Sequence, residues 1–373
     1  MESVTPPGNV KHQEQFVEKF AFIMHPLEAK PDISRKYPFV KYFPESMVEW
    51  GLKFKGPMMI SHITGVKSIT GAEAEGWFIG CPLSARQMMT LPTDFVLGKI
   101  IACAQLAQEV GAGIVGLGAF TSVVGDGGIT IAKNVDIAVT TGNSFTIATG
   151  IEGSLKAAPM MDIDPEKAKA AVVGAVGSIG RTCARILGRQ VPEINLIDLD
   201  AEGLEKVAAE IRSESSAVVN VFTEVHVGIK DADIVTTATS AVKAIIHPAD
   251  LKPGCIVCDV ARPRDVSIRV SKERDDVLVI DGGVVAVPGD VEFNFNFGFP
   301  PKMAYACMSE TMILALEGRY ENFTLGKTVS VEQVEEITAL AGKHGFKLAG
   351  FRSFERAVTD EQIQRARANA KRG

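Results

Sequence analysis

This chain of 373 residues has few aromatic residues, no long apolar run and no excess of basic charge. Aromatics make up 7% of it while glycines number 35, a balance that favours closely packed strands and helices over an all-β fold. No apolar run reaches the roughly 20 residues that span a bilayer, and Met1–Glu14 is too polar for a signal peptide. We therefore expect a cytoplasmic protein with no integral membrane segment.

The charge and the cysteines exclude two further classes of protein. A net charge of −6 argues against nucleic acid as a partner. The six cysteines are expected to be free thiols in a reducing compartment. Cys255 and Cys258 have a metal-like spacing, but they fall in a predicted buried strand and would point to opposite faces. No metal site is predicted.

The most informative stretch that is present runs from Ala170 to Arg181, with the sequence AAVVGAVGSIGR. An apolar strand leads into three glycines spaced by three residues, and a helical sequence follows at once. This order predicts a turn whose amides approach a pyrophosphate at the positive end of a helix. The residues predicted to contact the dinucleotide are Gly174, Val176, Gly177, Ser178, Ile179, Gly180, Asp198, Thr237 and Ala238.

An acidic residue about twenty positions further on completes the dinucleotide fingerprint. Asp198 ends the predicted strand Glu193–Leu199, where a carboxylate accepts hydrogen bonds from the ribose hydroxyls and repels a 2′-phosphate. Asp200 adds to the repulsion, and no arginine follows closely. The pattern therefore favours NADH over NADPH, with the alternative that Asp198 only caps the following turn.

Strands alternate with helices through the middle of the chain, which predicts an α/β fold. We expect a central Rossmann-type, doubly wound parallel sheet over residues 156–288. An N-terminal α/β substrate domain would occupy 1–155, and a C-terminal helical segment 289–373. Within that segment a helix is predicted over Lys302–Gly318, starting at Pro301.

Cys307 lies near the start of this last helix, with Lys302 five residues earlier. A helix N-terminus and a nearby cation both favour the thiolate, which is the form that attacks carbonyl carbons. The alternative to a nucleophile is a small core residue without a chemical role, because Cys307 shares a helical face with apolar neighbours. The residue pattern alone leaves both open.

A resemblance to a known family covers the chain from about Phe20 to Phe351. The segments that carry it are Leu117–Val124 (LGAFTSVV), Thr140–Thr146 (TTGNSFT), Val172–Gly180 (VVGAVGSIG), Asp281–Val285 (DGGVV), Tyr305–Gly318 (YACMSETMILALEG), Asn322–Lys327 (NFTLGK) and Lys343–Phe346 (KHGF). Together they resemble the cyanobacterial long-chain acyl-ACP reductases, NAD(P)H enzymes that convert acyl thioesters into fatty aldehydes.

The resemblance implies that Cys307 carries the acyl group and that the partner is an acyl carrier protein or a CoA thioester. Lys302 and Asn143 are interpreted as catalytic donors to the oxyanion, together with amides at 116–118. The family's NADPH enzymes carry an arginine after the second strand, where this chain has Leu199, Asp200 and Ala201. Cys81 is a second candidate nucleophile.

Two other functions stay open at this point, and so does a homo-oligomer. One is an NAD-dependent hydroxy-acid or amino-acid dehydrogenase of the shikimate type, which predicts a Lys–Asp pair in the first domain. The residues available for that pair are Lys67, Asp94, Lys99, Asp126 and Lys133. The other is a nucleotide-sensing module without turnover.

Overall fold

A computed structural model describes residues 17–354 and 356–371; the predicted polar segment 1–14 lies outside them. In these ranges the strands are β1 (Val17–Met24), β2 (Met58–Lys67), β3 (Glu73–Gly80), β4 (Ile114–Leu117), β5 (Ala138–Thr140), β6 (Lys169–Val173), β7 (Glu193–Ile197), β8 (Val218–Phe222), β9 (Ile234–Thr237), β10 (Ile256–Asp259), β11 (Leu278–Asp281), β12 (Val284–Ala286), β13 (Gly289–Glu292), β14 (Met303–Tyr305), β15 (Lys347–Leu348), β16 (Arg352–Ser353) and β17 (Arg356–Ala357).

The α-helices in the same ranges are α1 (Ala29–Lys36), α2 (Glu45–Leu52), α3 (Ala85–Thr90), α4 (Thr93–Glu109), α5 (Ile129–Ala132), α6 (Asn143–Met160), α7 (Ser178–Leu187), α8 (Ala201–Glu214), α9 (Val225–Ile229), α10 (Val270–Glu273), α11 (Ala306–Leu316), α12 (Val331–His344) and α13 (Asp360–Ala370). A 3₁₀ turn at Pro38–Tyr42 joins α1 to α2.

The second sheet is the predicted Rossmann-type sheet. Its six strands run in the order β11-β10-β9-β6-β7-β8, and every neighbouring pair is parallel. In chain order this is the doubly wound 3-2-1-4-5-6 arrangement, which reverses direction between β6 and β9. The strands are apolar because helices cover both faces of a parallel sheet. The α/β fold class is thereby confirmed.

The first sheet is mixed, with the order β13-β2-β3-β1-β4-β5. β3, β1, β4 and β5 are mutually parallel. β2 is antiparallel to β3 at one edge, and β13 pairs antiparallel with β2. The predicted C-terminal helical segment was therefore incomplete, because β13 joins this N-terminal sheet. The boundaries at residues 155 and 288 stay predictions.

Helix α6 connects the two sheets and packs on both. It starts at the carboxyl end of β5 in the first sheet. Its residues Ile147 and Ile151 lie in the core of the second sheet, and Gly150 packs against Cys258 and Val260 at the end of β10. The carboxyl edges of the two parallel sheets are thus held close to the same helix, where ligands of α/β proteins bind.

The prediction of a helix beginning at Pro301 was wrong. Pro300 and Pro301 lie in a turn, Lys302 has a left-handed φ of 61°, and β14 follows before α11 begins at Ala306. β14 pairs antiparallel with β12, a long-range contact that local helix propensity does not anticipate. Cys307 is consequently the second residue of its helix.

Candidate active site

The glycine-rich turn after β6 has the close packing that the fingerprint requires. Gly174 adopts a left-handed φ of 82°, and its amide donates to the Ile197 carbonyl at 2.8 Å. A Cβ at Gly180 would come within 3.0 Å of the Gly174 carbonyl oxygen, so only glycine lets α7 start this close to the turn. The first-turn amides of α7, at Ser178, Ile179 and Gly180, have no partner inside the helix and suit a pyrophosphate.

Asp198 lies beside the glycine-rich turn, whereas Asp200 caps the next helix. Asp198 follows β7, and its Oδ2 accepts from the Val176 amide at 3.1 Å. Asp200 is the N-cap of α8, accepting from the Gly203 amide at 3.0 Å. Its carboxylate is therefore engaged in capping α8, whereas the Asp198 carboxylate lies against the glycine-rich turn.

The end of β9 closes the turn from the opposite side. The Ala238 amide donates to the Val173 carbonyl at 3.0 Å, and the Ala238 carbonyl lies against Gly174. The Thr237 hydroxyl is buried and donates to Asp265 at 2.5 Å. Of the two residues, Ala238 is the one whose backbone borders the predicted dinucleotide turn.

Cys307 lies between two glycine-containing loops at the carboxyl edge of the first sheet. A Cβ at Gly118, just after β4, would be 3.7 Å from Cys307 Sγ. A Cβ at Gly142, just after β5, would come within 3.0 Å of both Cα and Cβ of Cys307. Both glycines belong to segments that carried the family resemblance. Those segments therefore form the walls around Cys307.

Asn143 joins this edge to the dinucleotide turn, whereas Lys302 does not reach it. Asn143 begins α6, is buried, and places Nδ2 3.5 Å from the Ser178 hydroxyl at the start of α7. The Lys302 ammonium instead pairs at 2.8 Å with the exposed Asp290. The prediction that Lys302 is a cation near Cys307 was wrong, because the helix that would have aligned the two residues does not exist.

A buried carboxylate, Glu310, lies one turn beyond Cys307. It accepts from the hydroxyls of Thr140 (2.5 Å) and Ser144 (2.6 Å) and from the Phe145 amide at 2.9 Å. Burial raises the pKa of Glu310. These bonds tie the loop containing Gly142 and Asn143 to α11, and so fix the surroundings of Cys307.

Arg262, which sequence analysis missed, is a cation that favours the thiolate of Cys307. Its Nη1 donates to the Ala261 carbonyl at 2.6 Å, and Nη2 pairs with the buried Asp281 at 3.5 Å. Its guanidinium lies 5.4 Å from the ring centroid of Tyr305, the N-cap of α11. Within the described ranges Arg262 Nε is buried with no hydrogen-bond partner. An unpaired buried donor on a residue that acts electrostatically on Cys307 suits a transient anion.

The protonation of Cys307 differs from the prediction. Burial raises the pKa of the Cys307 thiol to about 12, and Glu310 adds to the rise. The amides of Met308 and Cys307, and Arg262, act in the opposite direction. The thiol is therefore protonated at neutral pH in this structure, although its helix-terminal position offers the amides that a thiolate needs.

The other five cysteines are buried, and Cys307 alone among the described cysteines is partly exposed. Cys81, the second candidate nucleophile, is 1% exposed in the core under β3. Cys255 and Cys258 pack in cores on opposite faces of the second sheet, as predicted. No group of three or more His, Cys, Asp or Glu side chains in the described ranges could hold a metal ion. None of the helices there is long and apolar enough to cross a membrane.

Comparison with protein families finds one match. Residues 157–282 match the shikimate/quinate 5-dehydrogenase model, which is the Rossmann-type part of the chain. With the geometry of the glycine-rich turn, this match supports an NAD(P)-dependent oxidoreductase.

The curated proteins similar to this chain include two that match most of its length. An aminotransferase, PigE, of a Serratia species is 31% identical over 358 residues, covering 92% of this chain and 41% of that protein. The long-chain acyl-[acyl-carrier-protein] reductase of Synechococcus elongatus is 28% identical over 347 residues, covering 86% of this chain and 95% of that protein. The chain thus spans less than half the length of the Serratia protein.

Solved structures give weaker likenesses. Quinate dehydrogenase from Corynebacterium glutamicum, in complex with NAD, has a TM-score of 0.34 at 12% identity, covering 87% of this chain and 99% of that chain. A 5-ketofructose reductase of a Gluconobacter strain has a TM-score of 0.36 at 12% identity, with 87% and 98% covered. Scores this low do not inform the substrate.

Proposed function

We propose that the chain reduces an acyl thioester, carried by acyl carrier protein or CoA, to an aldehyde through a covalent intermediate on Cys307. The observation that carries the proposal is the position of this thiol. Among the described cysteines it is the partly exposed one, and it lies at a helix N-terminus. Asn143, which follows the neighbouring Gly142, contacts Ser178 at the start of α7. The acyl-ACP reductase of Synechococcus elongatus, similar over nearly its whole length, supports the same substrate class.

The residues present provide for each change of bonding. Cys307 Sγ bonds to the acyl carbon, the carbon–sulfur bond to the carrier breaks, and the proton of Cys307 balances the departing carrier thiolate. Arg262 Nε and the Asn143 amide are the donors proposed for the oxyanion. A bound reduced nicotinamide would supply the hydride for the two-electron reduction. As the acyl carbon gains this hydride, its bond to Sγ breaks, the aldehyde leaves, and the Cys307 thiolate takes up a proton from water.

The proton on Cys307 must leave as the thioester is attacked. The helix-terminal amides and Arg262 favour the thiolate, while burial and Glu310 oppose it. When the carbonyl oxygen of a bound thioester lies at Arg262, the guanidinium neutralises part of the negative charge that develops on this oxygen. We therefore assign to Arg262 the role that sequence analysis had given to Lys302.

The proposed hydride donor is NADH. Asp198 directly follows β7 with no arginine in the next several positions, and its Oδ1 accepts from the Asp200 amide at 3.3 Å. A 2′-phosphate would meet this carboxylate without a compensating cation. Comparing KM for NADH and NADPH tests the preference.

A shikimate-type dehydrogenase is less well supported. It needs a Lys–Asp pair in the first domain, but the Lys67 ammonium pairs with Glu73 and the Lys99 ammonium donates to the Lys55 carbonyl. Asp126 accepts from the amide and hydroxyl of Thr130. Three of those five candidates are thus engaged elsewhere, and the family match ends before Cys307.

The test measures nicotinamide oxidation and aldehyde formation over a panel of acyl-CoA and acyl-ACP thioesters. Wild type is compared with Cys307→Ala and with Cys81→Ala, which alters the other candidate nucleophile. We expect aldehyde from wild type and Cys81→Ala, and none above background from Cys307→Ala. Equal rates in wild type and Cys307→Ala would contradict the covalent scheme, and oxidation of hydroxy acids alone would favour the dehydrogenase.

A further inference from the structure

An unusual number of large apolar side chains are exposed between residues 37 and 54. We call this set the aromatic surface, and its members are Tyr37, Phe39, Tyr42, Phe43, Met47, Trp50 and Phe54. Tyr42 is 78% exposed, Phe54 72% and Trp50 62%. Single exposed apolar side chains are ordinary, but so many on one short segment mark an interaction site.

The segment's orientation is fixed by contacts on its other side. Val40 and Leu52 are buried, and the buried Glu49 accepts from the Ser84 hydroxyl at 2.7 Å and pairs with Arg86. The inner face of α2 is therefore anchored on the start of α3. The exposed aromatics face away from this anchor and cannot enter the core without breaking it.

The exposed rings contact one another. Trp50 and Phe54 have ring centroids 5.0 Å apart, and Phe39 lies 6.2 Å from Tyr37 and 6.4 Å from Phe43. Neighbouring rings of this kind form patches and are not isolated exposures. The aromatic surface is thus made of at least two such clusters on one short segment.

Basic residues surround these clusters although the chain as a whole is acidic. Residues 29–55 contain six basic side chains against three acidic ones, while the net charge of the protein is −6. The basic residues of this segment are Lys30, Arg35, Lys36, Lys41, Lys53 and Lys55. Of the acidic three, Glu49 is buried against Arg86. The outward-facing charge is therefore positive.

The aromatic surface lies near the edge of the first sheet that holds the proposed active site. α1 starts five residues after β1 ends, and α2 is anchored near the carboxyl end of β3. β1, β3 and β4 are parallel, so these ends share the edge where Gly118 contacts Cys307.

We propose that the aromatic surface docks the protein peripherally on an anionic membrane surface. Aromatic rings beside lysines are the composition of segments that lie in the headgroup region, where rings insert and ammonium groups reach lipid phosphates. A second copy of the chain is a poorer fit, because protein–protein interfaces are depleted of lysine. This inference does not depend on the proposed reaction.

The experiment uses the full chain with two kinds of vesicle, phosphatidylcholine alone and an equal mixture with phosphatidylglycerol. Co-sedimentation measures binding. In a Trp77→Phe background, which leaves Trp50 as the sole tryptophan, fluorescence reports whether that ring enters an apolar layer. We expect binding to the mixed vesicles with a blue shift of Trp50, and weakening of this binding as salt is raised.

Two triple variants separate the aromatic surface from apolar exposure in general. The test variant is Tyr42→Ser, Trp50→Ser and Phe54→Ser together, and the control is Val218→Ser, Val242→Ser and Ile268→Ser, which are 60%, 50% and 51% exposed on the Rossmann-type domain. We expect the test variant to bind mixed vesicles at least about tenfold more weakly than wild type and the control to bind like wild type. Far-UV circular dichroism and thermal unfolding verify that both variants fold.

Three results would overturn the proposal. One is no binding of wild type to either kind of vesicle. The second is equal binding by the test variant and wild type. The third is a wild-type dimer in light scattering that the test variant loses while vesicles bind neither protein, which would assign the aromatic surface to a second copy.

Discussion

Replacing Gly142 with alanine should displace Cys307, and the structure allows the cost to be estimated. Gly142 has a left-handed φ of 74°, which costs a non-glycine residue about 1–2 kcal/mol. Its new Cβ would come within 3.0 Å of Cα and Cβ of Cys307, where a normal contact is about 4 Å. Relieving that overlap moves the loop and α11 apart by about 1 Å and adds about 1–3 kcal/mol.

A matched control separates strain from displacement. Gly350 has a φ of 76° and nothing within 4 Å of its would-be Cβ, so Gly350→Ala introduces the same backbone strain without the overlap. Denaturant unfolding should show a loss of about 2–5 kcal/mol for Gly142→Ala and about 1–2 kcal/mol for Gly350→Ala.

The displacement of Cys307 should also slow its reaction. A misplacement of about 1 Å costs about a hundredfold in rate, so acylation of Gly142→Ala by acyl-CoA, followed by intact mass, should slow by about that factor. Gly350→Ala should acylate at the wild-type rate. If the two variants lose equal stability and acylate equally fast, the close contact between Gly142 and Cys307 has no functional meaning.

Three further predictions concern the charges at the site. Alkylation of Cys307 should accelerate about tenfold per pH unit between pH 7 and 10, because a pKa raised to about 12 keeps the thiolate fraction rising throughout; a plateau near pH 8 would contradict this. Arg262→Gln should slow both the alkylation and the acylation of Cys307 at a given pH, and Arg262→Lys should restore part of the loss. Lys302→Ala should change neither rate, because Lys302 pairs with the exposed Asp290. Asp198→Ala should weaken NADH binding, measured by nucleotide fluorescence, by about tenfold with little effect on NADPH, consistent with the loss of one charged hydrogen bond of about 1.5 kcal/mol.

The Rossmann-type half could be predicted because its signals are local. Three glycines, an apolar strand before them and an acid after the next strand all follow from contacts made within about thirty residues. Helix α12 also has local signals at both ends, since Ser330 caps its N-terminus and Gly345 its C-terminus.

The active-site half depends on contacts between distant segments, for which the sequence carries no local signal. β13 pairs with β2 across more than two hundred residues, and β14 replaces the first turn of a helix that Pro301 and Lys302 appeared to begin. The side chains that surround Cys307 come from distant segments in the same way. Glu310 meets Thr140 across 170 residues.

Arg262 has a sequence signal that could have identified it. The segment Ala261–Asp265 (ARPRD) follows a buried strand, and two arginines among carboxylates at the carboxyl end of a parallel strand are a recognisable signal for a site. Glu310 was likewise part of the quoted motif YACMSE, but a motif gives no role to a residue until its partners are known.

The central claim, that Cys307 forms an acyl-enzyme, is tested most directly by intact mass after mixing the protein with acyl-CoA and no nucleotide. The account predicts one acyl adduct on wild type, located by peptide mapping to the peptide containing Cys307, absent from Cys307→Ala and removed when NADH is added. An adduct that persists on Cys307→Ala, or aldehyde formation from that variant at the wild-type rate, would contradict it.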